Sequence, residues 1–242
     1  VQINDVIYAN VPAMFENTPF RIDLLKNNFI LKYQDEVLPL NINIIPVPQY
    51  ALNNTLLEGG APVRELVMTH ADRMRISPIH GCAYHCQFCT CNNQKYMEIP
   101  IGQLDQAVQI ALKDTNNTPR HILISGGTPR AEKGSYEYLN NVYHFFPNKY
   151  KEFEFDIMLS PRGMYSGEAD ENGYIDFLKY LHDDCGIITM SINLELYNDT
   201  MRKEFIPDKW EIGKENYLLF IRNAVSIFGQ GNIRSSLVVG LE

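Results

Sequence analysis

From residue 74 to the end of the chain, five β-rich segments alternate with four helical ones, and no other feature narrows the fold so much. The strand-like runs are 74–79 (MRISPI), 121–126 (HILISG), 153–159 (FEFDIML), 187–194 (IITMSINL) and 233–240 (IRSSLVVG). Helical patterns fill 101–114, 135–146, 173–184 and 215–228. In the last, Leu218, Ile221, Ala224, Val225 and Phe228 recur near the helical period and predict one buried face. Strands joined by crossover helices predict an α/β fold around a parallel sheet with right-handed connections. The long apolar runs predict a sheet covered on both faces. Alternation alone leaves open whether the array stays a doubly wound sheet or curls into a barrel. The chain stops directly after the fifth strand, so an incomplete barrel or a piece of a longer protein is expected.

Residues 1–66 read differently. The stretch 29–47 has β-rich patches broken by Asp35, Glu36 and Pro39, which predicts a short hairpin or edge strands. Asn53, Asn54, Gly59, Gly60 and Pro62 form a breaker-rich linker. The expected organisation is an N-terminal extension over 1–66 and a main domain over 67–242.

Composition excludes some functions. The 242 residues carry 21 Lys and Arg against 29 Asp and Glu, a formal charge of −8, and no long basic run offers a surface for phosphate backbones. No apolar run approaches the roughly 18 residues of a membrane span, and no secretory leader is visible at the start. Nucleic acid and membrane are therefore not expected partners. The chain has 5 cysteines, four of them between residues 82 and 91, and such a pattern reads as metal ligation in a reducing, cytoplasmic setting.

The loop after the first predicted strand reads GCAYHCQFCTC, which gives Cys82-x3-Cys86-x2-Cys89. Three thiolates in one loop can wrap a metal. Structural zinc wants four closed ligands, commonly from two knuckles. No second pair exists here, and Cys185 lies far along the chain; Cys91 or His85 could supply a fourth ligand, but Cys89-x-Cys91 is too tight for easy tetrahedral closure. A [4Fe–4S] cubane is normally held by four cysteines, so three leave one iron with an open position.

Cys82, Cys86, Phe88 and Cys89 match the CxxxCxΦC signature, with Φ aromatic, and on these residues the chain resembles the radical S-adenosylmethionine (SAM) superfamily, nearest to its biotin and lipoyl synthase branch. The resemblance spans roughly residues 73–242. It implies a partial (β/α)6-type barrel with an N-terminal extension, and an oxygen-sensitive [4Fe–4S] cluster on Cys82, Cys86 and Cys89. It further implies SAM on the open iron, cleaved by one electron to a 5′-deoxyadenosyl radical that takes a hydrogen atom from substrate. Gly126, Gly127 and Thr128 stand where the family holds the SAM amino group, with Thr128 replacing the family's Glu. Asn193 and Glu195 resemble the pair that binds the ribose, and two such residues on a strand share a face. Phe88 would flank the adenine. Arg202, or alternatively Arg162 in the segment Ser160-Pro161-Arg162-Gly163, would neutralise the SAM carboxylate. A small-molecule substrate and a reducing partner such as a flavodoxin or ferredoxin follow from the same resemblance.

Other chemistry-bearing residues read as packing or solvation. His70, His80 and His85 are expected to make supporting hydrogen bonds or to be solvated, Cys91 to stand by, and Cys185 to be a small buried residue. Tyr136, Tyr138, Tyr143 and Phe145 are spaced like one helix face. The competing reading is a non-catalytic zinc or iron–sulfur module serving as scaffold or electron carrier.

Overall fold

The computed structural model describes residues 1–8, 18–161 and 171–241. Its first part is a six-stranded antiparallel sheet of β1 (Gln2–Ile3), β2 (Ile7–Tyr8), β3 (Phe20–Leu25), β4 (Asn28–Tyr33), β5 (Glu36–Val37) and β6 (Ile42–Asn43). The expected hairpin is β3–β4, and it begins before the β-rich stretch singled out in the sequence. Lys26 and Asn27 both take positive φ between paired Leu25 and Asn28, a two-residue turn whose twist suits antiparallel strands. Short helices α1 (Gln49–Leu52) and α2 (Val63–Leu66) follow. Tyr50, Ala51, Leu57, Val63 and Leu66 join the main hydrophobic core, so packing reaches back past residue 66.

The main sheet contains β7 (Val67–His70), β8 (Arg73–Ile76), β11 (His121–Ile124), β12 (Glu154–Met158), β13 (Ile187–Ser191) and β14 (Ile233–Arg234). Between β8 and β11 lie the small ladder β9 (Ile79–His80) with β10 (Met97–Glu98), and helix α3 (Ile101–Leu112). Helices α4 (Lys133–Lys149) and α5 (Glu171–Lys179) occupy the next two crossovers. The last crossover holds α6 (Asp199–Phe205), α7 (Pro207–Ile212) and α8 (Lys214–Phe228).

From β8 to β14 the strands run parallel and in sequential order, while β7 adds antiparallel to β8 at the edge. A doubly wound sheet reverses its order at a switch point; this one does not. Right-handed crossovers in an unreversed order put every helix on one face. That face is the core. Met74 and Ile76, Ile122 and Ile124, Phe155 and Ile157, and Met190 are all buried there with Leu104, Ala107, Val108 and Ala111 of α3.

The other face is not apolar, contrary to the expectation of a sheet covered on both sides. Arg75 pairs in register with Leu123, which pairs with Asp156, which pairs with Thr189. A bulge at Ile188 keeps that alternation aligned, because Phe155 pairs with Ile187 but Asp156 already pairs with Thr189. Buried Asp156 takes an ion pair from Arg234, whose Nε also donates to Ser191 at 2.7 Å. The fifth predicted strand is shorter than its sequence pattern. Only Ile233 and Arg234 pair as a strand, with one isolated bridge from Leu237 to Glu195, and Val239 is almost fully exposed.

Candidate functional site

A cavity of about 900 Å³ opens at the carboxyl ends of the parallel strands. Cys82, Cys86 and Cys89 line it together with Phe88, Gly126, Gly127, Thr128, Ser160, Asn193 and Glu195. Arg162 lies outside the described residues. Arg202 is described, and it is not part of the lining.

The cysteine loop is an excursion from the β9–β10 ladder, where Ile79 pairs with Glu98 and His80 with Met97. Gly81 takes φ +67°, and a Cβ there would stand 2.8 Å from Gln94 O, so the loop closes on itself only with glycine. Partners after β13 hold its outer side. Gln87 N–H donates to Phe205 O at 2.8 Å, and Asp208 accepts from the His85 backbone at 2.6 Å. His85 also turns its ring to Asp208, and the His80 ring meets Glu65 O at 3.0 Å, so both histidines make supporting contacts.

The two glycines after β11 have a more immediate task than approaching an ammonium. A Cβ on Gly127 would fall 1.7 Å from Gly81 O, and one on Gly126 would fall 2.8 Å from Ile79 O. Backbone therefore packs on backbone between this turn and the cysteine loop. Thr128 sits across that contact and contributes main-chain atoms: its N–H donates to Cys82 Sγ at 3.2 Å, and its carbonyl accepts from Ala83 N–H at 3.0 Å. Tyr84 N–H donates to the same sulfur at 3.4 Å. Two donors aimed at one sulfur hold it in place at the cavity wall.

Cys86 is buried beside Tyr84, Leu196 and Ile206. Burial pushes its thiol up to about 12, offset in part by the Lys209 ammonium, so the free thiol is protonated and a metal must displace that proton. Cys91 also lines the cavity, and burial together with a hydrogen bond to Cys89 raises its thiol. Among the described residues, no three His, Cys, Asp or Glu side chains converge on one point as ligands of a single ion would.

Asn193 and Glu195 share the cavity, though not as strand neighbours. β13 ends at Ser191, and beyond it Glu195 adopts φ +66°, held by Glu195 N–H to Ser236 O and Val238 N–H to Glu195 O. Such a conformation costs a non-glycine residue about 1–3 kcal/mol and is tolerated where the surroundings fix it. Asn193 accepts from Ser236 N–H at 3.2 Å and donates to Met158 Sδ at 3.7 Å. Glu195 pairs with Lys209 at 2.8 Å, and Lys209, a lining residue that sequence patterns do not mark, is itself buried. Ser160 lies against the hydroxyl of buried Tyr217.

Arg202 requires a correction. It is fully buried, and its guanidinium donates to the carbonyls of Leu194, Leu196 and Lys209 at 3.2, 3.0 and 3.0 Å. The side chain braces the segment that carries Glu195 and Lys209, and is not available to a carboxylate in the cavity. On α4, Tyr136 and Tyr143 are buried as the helical spacing predicts, yet they also reach the cavity wall. Cys185 is buried, as expected of a small apolar residue.

Comparison with models of known protein families and with curated proteins finds no match for this chain. Among the described residues, no helix is long and apolar enough to cross a membrane.

Proposed function

We propose that the chain is a radical SAM enzyme whose [4Fe–4S] cluster is held by Cys82, Cys86 and Cys89. The observation that carries this reading is the meeting of those three thiols with Gly126, Gly127, Thr128, Asn193 and Glu195 around one cavity. These residues come from three separate strand ends. Sequential parallel strands with helices on one face are the arrangement a partial (β/α)6-type barrel needs, and catalytic groups of such folds gather at the carboxyl ends.

The donor set suits the cluster. A cubane offers each thiolate a different iron, so its ligands need not converge as those of a single ion do. When bound and reduced, the cluster supplies the electron that cleaves SAM and generates a 5′-deoxyadenosyl radical able to take a hydrogen atom from substrate.

The chain's own residues then have distinct tasks. Thr128 and Tyr84 N–H groups hold the Cys82 sulfur in place, and the burial of Cys86 would shield its side of the cluster from water. Carbonyls of the Gly126–Thr128 turn would accept from the SAM ammonium, and Phe88 offers an apolar face to adenine. Glu195, oriented by Lys209, and Asn193 would bind the ribose hydroxyls. The substrate is a small molecule, the electron comes from a flavodoxin or ferredoxin, and the setting is cytoplasmic. The test is electron paramagnetic resonance of the anaerobically reconstituted, reduced protein. A cluster signal that changes shape on adding SAM is expected; a cluster signal indifferent to SAM overturns the reading.

A further inference from the structure

The protein carries a formal charge of −8, yet its cavity is lined by four cations, Arg64, Arg75, Lys95 and Lys209, against two carboxylates, Glu65 and Glu195. Lys209 and Glu195 neutralise each other. Among the described residues, the side chains of Arg64, Arg75 and Lys95 make no hydrogen bond or ion pair, which leaves three free cations facing one free carboxylate. Arg75 is the most constrained of them. It stands on β8, on the face opposite buried Met74 and Ile76, just before the chain enters the cysteine loop. The one acidic residue in its cross-strand row, Asp156, is occupied by Arg234. The guanidinium therefore faces the cavity with its donors unspent.

We propose that Arg75 binds an oxyanion, carboxylate or phosphate, of a small anionic substrate, with Arg64 and Lys95 adding positive field at the cavity mouth. A guanidinium can grip such a group with two parallel N–H bonds, which fixes orientation as well as charge. A cavity of about 900 Å³ is near the upper end of the roughly 300–1,000 Å³ range for ligand sites and has room for a second small molecule beside a nucleoside. Calling this ligand the substrate rests on the radical SAM reading. The anion site itself does not, because it can be measured without the cluster.

The experiment is calorimetric titration of the purified chain at constant ionic strength, with inorganic phosphate in one arm and malonate in the other. The wild type is expected to bind at least one probe, and R75L to weaken that binding by about tenfold or more, as losing a charge-assisted pair implies. R75K, which keeps the charge but loses the paired donors, should lie between them. R222L, which alters an exposed helix arginine outside the cavity, should match the wild type. Melting curves check that each variant is folded. The arm that binds more tightly identifies the anionic group. Binding of neither probe, equal binding by folded R75L, or equal weakening in R222L would overturn the assignment. Intact anion binding in a protein that releases no 5′-deoxyadenosine would instead sink the radical SAM reading and leave the anion site standing.

Discussion

Replacing Gly127 by alanine tests the backbone contact on which the site is built. The new Cβ would lie 1.7 Å from Gly81 O, 2.7 Å from Gly81 C and 2.9 Å from Cys82 Cα, all of them main-chain atoms that no rotamer change can remove. Real Cβ atoms keep at least 3.0 Å from such neighbours, so the two loops must part by roughly 1.3 Å, overpacking of a kind that costs about 1–3 kcal/mol. The hydrogen bonds spanning the gap, Ala83 to Thr128 O at 3.0 Å and Thr128 to Cys82 Sγ at 3.2 Å, would stretch with it. Their loss adds about 0.5–1.5 kcal/mol each. A total of about 2–6 kcal/mol, at about 2–4 °C per kcal/mol for a chain of this size, lowers the melting midpoint by roughly 4–24 °C. The matched control is G134A. Gly134 lies in α4, where a Cβ would meet nothing within 4 Å, and alanine there should be neutral or raise the midpoint by about 2 °C. Circular dichroism melts read both. If G127A melts with the wild type, or no lower than G134A, the packing argument is wrong.

Elsewhere, R202M strands the carbonyls of Leu194, Leu196 and Lys209 and should cost about 3–5 kcal/mol in denaturant unfolding; unchanged stability with weakened SAM binding would return Arg202 to the ligand. K209M removes the partner of Glu195 in a largely buried pair and should cost about 3 kcal/mol, and adding E195Q should recover part of that loss in the same assay. Burial would raise Asp105, but hydrogen bonds from Lys149 at 2.6 Å and Tyr150 at 2.7 Å outweigh it and hold the carboxyl below its ordinary value. A lowered folded-state value stabilises above the unfolded value, about 3.9, and the benefit disappears as pH falls through the folded one. D105N should therefore be about 1 kcal/mol less stable at pH 7 and converge with the wild type in acid, as unfolding across a pH series would reveal.

The sheet and its helices were largely legible because their signal is local. Leu104, Ala107, Val108 and Ala111 are buried at helical spacing on α3, and β11, β12 and β13 fall inside the runs that propensity marks. What escaped depends on distant partners. Val67–His70 became a strand because β8 offered it an edge, with Thr69 fixed by the Tyr50 hydroxyl. α6 and α7 come from a charged stretch interrupted by Pro207, with no clean apolar period. Conversely, the valines after Arg234 carry β propensity that goes largely unused, since most of that segment finds no strand to pair with. At the site, the cysteine spacing marked the loop, whereas the double glycine, read as an approach to an ammonium, proved to be where backbone packs on that loop. Arg202 and Lys209 reversed the usual expectation, because long cations are normally surface residues and only the folded α6–α7 segment turns both inward. Arg75 was silent in the sequence for the same reason: its importance lies in the absence of a carboxylate opposite it.

The most direct test of the account is product analysis after anaerobic reconstitution, reduction with dithionite and addition of SAM. Release of 5′-deoxyadenosine is expected from the wild type, and none from C82A, C86A or C89A. A protein that holds a full [4Fe–4S] cluster, is reduced, and still releases none would contradict it.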